Sequence, residues 1–132
     1  MKRVHHVAIV VRDLDRAVAF YRDGFGLTVD RVARPVDQGV RAALLNLENA
    51  AIEIIQPLAL DSGVGRFLER RGEGLHHLCF TSPDLAAELN SLKSRGVELI
   101  DAEPRPGLAG LVCFLHPRAH AGVLVELVEV PE

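Results

Sequence analysis

The sequence has little of what several protein classes require. It contains only two cysteines, and no apolar run approaches the ~20 residues that a membrane-spanning helix needs. The N-terminus carries basic residues but lacks the apolar stretch and small-residue cleavage site of a secretory signal. We therefore expect a cytoplasmic protein with no membrane partner.

The two cysteines do not form a recognisable motif. Cys79 and Cys113 lie in separate apolar runs, with no C-x-x-C spacing and no dense disulfide framework. A lone cysteine in an apolar strand behaves as a small core residue. We predict that both thiols are reduced and buried.

Positive charge is not in excess either. The chain has 18 acidic and 15 basic residues, which gives a net charge of −3. A nucleic-acid-binding protein usually carries a basic surface, so we expect no nucleic-acid partner. An anionic substrate would need a local basic cluster. Phosphate-loop chemistry is not expected, because the Gly24/Gly26 and Gly63/Gly65 pairs lack the spacing and the lysine.

What the sequence does have is an internal repeat. At an offset of 71 (77 − 6), the aligned segments are His6-Val7-Ala8-Ile9-Val10-Val11-Arg12-Asp13-Leu14 and His77-Leu78-Cys79-Phe80-Thr81-Ser82-Pro83-Asp84-Leu85. At an offset of 73 (126 − 53), they are Ile52-Glu53-Ile54-Ile55 and Val125-Glu126-Leu127-Val128. Such self-similarity indicates two copies of one supersecondary unit.

The first copy has the pattern β-α-β-β-β. Apolar runs predict strands at about residues 4–11, 27–34, 40–47 and 50–56. The helix between the first two strands should begin after Asp13 as N-cap, and Gly24 and Gly26 should stop it.

The second copy repeats that order after a connector with a short helix near residues 64–70. Strands are predicted at 76–81, 97–101, 111–115 and 122–130, and the helix should start at the Ser82-Pro83 pair and end at Gly96.

These elements predict an α+β fold in a single domain of residues 1–132. Module one should cover about 4–56, the connector about 57–74, and module two about 75–130. Two tandem βαβββ modules of this kind are expected to form an open, cleft-bearing half-barrel of mixed β-sheet.

The repeat also duplicates a possible pair of metal ligands, one histidine and one glutamate per module. Two imidazoles and two carboxylates suit a borderline divalent ion such as Zn, Co, Ni, Mn or Fe. The offset alone does not choose between His5 and His6 or between His76 and His77, because both members of each doublet obey it. Strand alternation directs only one of each doublet toward a cleft.

The segment His6–Leu14, followed by Ala19-Phe20-Tyr21 and Gly26-Leu27, resembles the opening of vicinal-oxygen-chelate proteins. That superfamily includes glyoxalases, extradiol dioxygenases, bleomycin- and fosfomycin-resistance proteins and methylmalonyl-CoA epimerases. The resemblance implies one divalent metal ion, with Co, Zn, Ni and Mn as candidates, and a homodimer. It selects as ligands His6, Glu53, His77 and Glu126.

Three stretches are similar to the methylmalonyl-CoA epimerases in particular: Ile54-Ile55-Gln56-Pro57-Leu58, Gly74-Leu75-His76-His77-Leu78, and Phe114-Leu115-His116-Pro117-Arg118 followed by Gly122-Val123-Leu124-Val125-Glu126-Leu127. The similarity implies a small-molecule acyl-CoA substrate. The implied reaction is epimerisation of methylmalonyl-CoA or a related 2-alkylmalonyl thioester, by removal and return of the C2 proton through a metal-stabilised enolate.

The resemblance also implies roles for individual residues. Glu126 would be one of two catalytic bases as well as a ligand. Asp37, in Asp37-Gln38-Gly39, stands where the family typically has a glutamate, and its side chain is one methylene shorter. His116 and Arg118 are candidate substrate-binding residues.

The sequence departs from the epimerases at Leu111, where they commonly have a lysine or an arginine. If that residue helps to hold the CoA phosphates, either Arg118, Arg105 or Arg41 must replace it or the acyl carrier differs from CoA.

Three alternative functions remain open. A glyoxalase needs the same ligands, although the Phe-Leu-His-Pro segment disfavours it. An extradiol dioxygenase holds Fe(II) with two histidines and one carboxylate, one ligand fewer than the four candidates here. A metal-free binding protein of the bleomycin-resistance type would bury these charges without compensation.

Overall fold

The computed structural model describes residues 2–33 and 39–130, which divide into two compact units. The first unit comprises residues 6–76, and the second comprises residues 77–132 together with residues 1–5. The elements in chain order are β1 (Val4–Val10), α1 (Leu14–Phe25), β2 (Thr28–Ala33), β3 (Val40–Asn46), β4 (Ala51–Pro57), α2 (Gly63–Arg71), β5 (Gly74–Thr81), α3 (Leu85–Ser94), β6 (Arg105–Pro106), β7 (Leu111–Leu115) and β8 (Val125–Glu129).

The first unit contains strands in the order β2-β3-β4-β1. β3 is antiparallel to β2 and β4, whereas β1 runs parallel to β4. Helix α1 covers one face of this sheet, where the buried residues are Val11, Leu14, Val18, Ala43, Leu45 and Ile54. The opposite face carries Ala8, Val40 and Ile55, which pack with Val64 of α2.

The ends of α1 follow from two residues. The Asp13 carboxylate accepts a hydrogen bond from the Arg16 amide at 3.1 Å, as expected of an N-cap. Gly26 ends the helix with φ of 69°, a left-handed conformation that glycine adopts without steric cost. Gly24, predicted to stop the helix as well, instead lies within its last turn.

The second unit contains strands in the order β5-β8-β7-β6. Helix α3 covers one face, with a core of Leu85, Leu89, Cys113 and Leu127. The other face carries Cys79, Val112 and Val128. Cys79 and Cys113 are both fully buried and neither is in a disulfide, as predicted for core residues.

Two predictions in the second unit were wrong. The N-cap of α3 is Asp84 rather than Ser82, because the Asp84 carboxylate accepts the Ala87 amide at 3.1 Å. The predicted strand at 97–101 is reduced to one bridge between Leu99 and Leu115. The Asp101 side chain accepts the Phe114 amide there, which replaces a regular ladder bond.

No helix within residues 2–33 and 39–130 is long and apolar enough to cross a membrane.

Candidate functional site

In the first unit, a histidine and a glutamate lie together on the sheet face away from α1. His6 on β1 and Glu53 on β4 are 4% and 9% exposed. Nε2 of His6 lies 3.8 Å from Oε1 of Glu53. Glu53 is paired in register with Ala8, two residues beyond His6, so alternation along β1 puts all three side chains on one face.

The second unit contains the same arrangement. His77 on β5 and Glu126 on β8 are 5% and 6% exposed, and Nε2 of His77 lies 3.0 Å from Oε1 of Glu126. Glu126 is paired with Cys79, again two residues beyond the histidine. The two units therefore hold equivalent pairs at equivalent register positions.

Strand geometry distinguishes the members of each histidine doublet. Because neighbouring residues on a strand point to opposite faces, His6 and His77 share the face of the glutamates, and His5 and His76 do not. The His76 ring instead packs edge-on against Phe67, with ring centroids 4.7 Å apart. The choice that the offset left open is thus made by the sheet registers.

The donor atoms of the two pairs are those that a borderline divalent ion takes. Each pair offers one imidazole nitrogen and one carboxylate, and all four side chains are buried. A buried carboxylate is costly unless a positive charge or hydrogen bonds compensate it. His6 with Glu53 in one unit, and His77 with Glu126 in the other, therefore have the donor chemistry that such an ion takes.

The other catalytic and binding candidates differ in how well the structure places them. Asp37 lies outside the described residues. His116 precedes a single 3₁₀ turn, Pro117–Ala119, and its Nδ1 accepts the Arg118 amide at 3.1 Å. The Arg118 side chain is 72% exposed and donates to Glu98 at 2.6 Å, which lowers the pKa of that carboxyl.

The three arginines proposed to compensate for Leu111 all bind carboxylates. Arg118 pairs with Glu98, Arg105 donates to Asp101 at 2.9 Å, and Arg41 donates to Asp15 at 2.8 Å. The Arg41 contact lowers the pKa of Asp15. An anionic substrate that used one of these arginines would have to share it with its carboxylate.

Sequence reasoning did not assign a role to Phe114. Its ring meets the His77 ring edge-on, with centroids 5.2 Å apart and planes at 88°. Phe114 is also the register partner of Glu126 across β7 and β8. The Phe-Leu-His-Pro segment drew attention to this residue, but only the strand register reveals its position.

A cleft of about 540 Å³ opens along α1 in the first unit, lined by Ile9, Val11, Phe20 and Tyr21 among others. Ile9 and Val11 lie on the α1 face of the sheet, so this cleft is on the side opposite to the His6–Glu53 pair.

The chain is similar to proteins of known activity. The chain is 39% identical over 131 residues to ethylmalonyl-CoA/methylmalonyl-CoA epimerase of Cereibacter sphaeroides, which covers 97% of this chain and 98% of the relative. It is 38% identical to the mitochondrial methylmalonyl-CoA epimerase of Mus musculus over 95% of this chain and 71% of the relative.

Among solved structures, a methylmalonyl-CoA epimerase in complex with methylmalonyl-CoA and NH4+ superposes with a TM-score of 0.92 at 36% identity and covers 99% of both chains. The predicted fold class, α+β with tandem βαβββ modules, is confirmed by this likeness. A family model matches residues 5–114. The chain belongs to the Glyoxalase/Bleomycin resistance protein/Dioxygenase superfamily.

Proposed function

We propose that the protein is a metal-dependent epimerase of methylmalonyl-CoA or of a related 2-alkylmalonyl thioester. The single observation that carries the proposal is the buried His77–Glu126 pair at 3.0 Å, matched by His6–Glu53 in the other unit. The names of the relatives, which are epimerases of methylmalonyl-CoA and ethylmalonyl-CoA, support the reaction and the acyl-CoA substrate.

In this proposal, His6, Glu53, His77 and Glu126 hold one divalent ion, with Co, Zn, Ni and Mn as candidates. The burial of all four side chains and the equivalence of the two pairs support a common ligand set. When bound, the ion supplies electrostatic stabilisation for negative charge that develops on a substrate oxygen.

The chain's own residues transfer the proton. Glu126 acts as a base and accepts the proton from C2 of the acyl group. A second side chain acts as an acid and donates a proton to the opposite face of C2, which inverts the configuration. We assign the second role to Asp37 on its position in the sequence alone. The burial of Glu126 supports its role, because little water has to leave the carboxylate when C2 approaches it.

Arg118 and His116 are proposed to contact the acyl-CoA. Their support is their common position on the exposed turn between β7 and β8, where Arg118 extends into solvent. Binding a phosphate or carboxylate there would draw Arg118 from Glu98 or add a second anion to it. A cytoplasmic homodimer completes the proposal.

The decisive experiment measures deuterium incorporation at C2 of methylmalonyl-CoA by NMR in D2O. The metal-loaded protein is compared with Glu126→Gln, which keeps the shape of the side chain and removes the base. Glu48→Gln is the matched control, because Glu48 is exposed and the chemical change is identical. Metal content is measured on all three proteins.

We expect exchange with the parent protein and with Glu48→Gln, and a loss of at least about 100-fold with Glu126→Gln, the lower end of what a positioned general base contributes. No exchange from the fully metallated parent protein would overturn the epimerase proposal and favour isomerisation of a hemithioacetal. A parent protein that binds no metal ion after reconstitution would favour the metal-free binding function.

A further inference from the structure

Three residues of the second unit form a connected cluster behind the ring of His77. Asp101 uses both carboxylate oxygens: Oδ1 accepts from Nε of Arg105 at 2.9 Å, and Oδ2 accepts from the Phe114 amide at 2.8 Å. The Arg105 guanidinium lies over the Phe114 ring, 5.5 Å from its centroid. We call Asp101, Arg105 and Phe114 the Phe114 cluster.

The Phe114 cluster fixes its aromatic ring from two directions. The hydrogen bond to Asp101 holds the backbone of Phe114, and the cation above the ring holds its side chain. The ring in turn meets His77 edge-on at 5.2 Å. A phenylalanine whose backbone and ring are both fixed leaves the neighbouring imidazole little freedom to rotate, because the interior is close-packed.

The first unit has no such ring at the equivalent position. Leu44 is the register partner of Glu53, as Phe114 is of Glu126. In the first unit, which has Leu44, the distance from the histidine Nε2 to the glutamate Oε1 is 3.8 Å. In the second unit, which has Phe114, the same distance is 3.0 Å. The two otherwise equivalent pairs therefore differ in the group that packs beside them.

We propose that Asp101, Arg105 and Phe114 are positioning residues that orient the imidazole of His77 toward Glu126. Phe114 acts on His77 directly, and Asp101 and Arg105 act through Phe114. The consequence for catalysis rests on the proposed function, whereas the orientation of His77 does not. In this proposal, Arg105 influences the orientation of His77 through Phe114 and does not itself contact the substrate.

The test uses Arg105→Gln and Phe114→Leu, with Arg22→Gln as the matched control. Arg22 also pairs with a carboxylate, Asp23, but on the exposed surface of α1. The Arg105 substitution keeps the Phe114 ring and removes both the cation above it and the Nε donor to Asp101. The Phe114 substitution introduces the residue that the first unit has at the equivalent position.

The first readout is NMR of the histidine rings in the protein without metal or substrate. We expect the His77 ring signals to shift and broaden in Arg105→Gln, while those of the exposed His120 stay unchanged. The second readout is Co2+ titration, in which we expect about a tenfold loss of affinity, as for other groups that orient metal ligands. Arg22→Gln should match the parent protein in both.

The third readout is the split between kcat and KM for C2 exchange. A positioning defect should lower kcat about tenfold and leave KM unchanged, since misplacement of a reacting group slows the chemical step. Arg105→Lys, which keeps the charge, should fall between the parent and Arg105→Gln. Thermal unfolding of each variant identifies one that fails to fold.

Parent-like His77 signals and Co2+ affinity in both folded variants would overturn the inference, even if the parent is an active epimerase. A parent protein without exchange activity would instead overturn the proposed function, and the NMR result would still decide the role of the Phe114 cluster. The two failures are therefore distinguishable.

Discussion

At the scale of single residues, the described part of the chain buries two histidines and two glutamates as two pairs. The repeat of polar residues in apolar runs indicated Glu53, Glu126 and the two histidine doublets without a structure, and the family resemblance favoured His6 and His77. Their exact partners could not, because the pairing depends on the registers of β1 with β4 and of β5 with β8. The position of Phe114 was not predicted for the same reason. Its neighbours depend on the register of β7 with β8 and on the hydrogen bond from its amide to Asp101.

The thiol of Cys113 should be unreactive in the folded protein. Desolvation, followed by the nearby carboxylates, raises its pKa to about 12, and only the thiolate reacts with alkylating reagents. We expect a Cys79→Ser variant, in which Cys113 is the sole thiol, to react with iodoacetamide at pH 8 only after unfolding. Fast labelling of the native variant would show that the Cys113 environment is more open than described.

The same pKa predicts a loss of stability at high pH. The thiol ionises near its ordinary pKa of about 8.5 in the unfolded chain and near 12 in the folded chain. Above pH 9 the unfolded state therefore binds fewer protons than the folded state, and the free energy of unfolding falls as pH rises toward 12. Urea unfolding at pH 7 and pH 10 should show a smaller decrease for Cys113→Ala than for the parent.

At the scale of elements, patterning predicted most strands and all three helices, and it failed where two signals competed. Ser82 and Asp84 are both capping residues within three positions, and only the structure shows that Asp84 makes the bond. The predicted strand at 97–101 has the right composition, but both Ile100 and Asp101 donate their amides to the single carbonyl of Phe114. A ladder needs one partner per amide, so composition alone could not identify this irregular segment.

Replacing the two candidate N-cap residues of α3 by alanine should affect the free energy of unfolding differently. Asp84→Ala removes the bond to the Ala87 amide and should cost about 1 kcal/mol of the free energy of unfolding. Ser82→Ala should be neutral or slightly stabilising, because the buried Ser82 hydroxyl has no hydrogen-bond partner among the described residues. Urea unfolding of both variants checks this. A larger loss for Ser82→Ala than for Asp84→Ala would contradict the assignment of the cap.

Two glycines of α2 give an internally controlled prediction. A Cβ on Gly65 would collide with the Ala59 carbonyl oxygen and lie 2.7 Å from the Leu60 Cα. Gly63, in the same helix, has open space at that position. We expect Gly65→Ala to lower the free energy of unfolding by about 1–3 kcal/mol through overpacking.

Gly63→Ala should instead raise the free energy of unfolding by about 0.5–1 kcal/mol, because alanine loses less backbone entropy than glycine when it enters a helix. Thermal or urea unfolding of the two variants side by side makes the comparison. Equal effects of the two substitutions would mean that α2 does not approach residues 59–60 as closely as described.

At the scale of the whole molecule, the proposed function requires one metal ion for two histidine–glutamate pairs. If the four residues share it, the loaded protein contains one ion per chain, and His6→Ala and His77→Ala each abolish tight binding. If each pair binds alone, the parent contains two ions and each single variant keeps one. Metal analysis of the parent and the two variants after dialysis distinguishes these outcomes.

Metal removal should also lower the stability of the whole chain. An ion that binds only the folded state contributes about 2.7 kcal/mol to the free energy of unfolding at 100 times its Kd. We therefore expect EDTA to lower the Tm of the loaded protein and to leave that of His77→Ala unchanged. An EDTA-insensitive Tm in a protein with one tightly bound ion would contradict this linkage.

Ala8 and Cys79 lie across from Glu53 and Glu126, and both are fully buried. A larger side chain at either position would take up space beside a buried carboxylate. In a saturation-mutagenesis library, these positions, 71 residues apart (79 − 8), should therefore tolerate little beyond glycine, alanine, serine and cysteine. Two positions that accept few residue types, at that spacing, would indicate the duplicated architecture of the chain from the frequencies of the surviving variants alone.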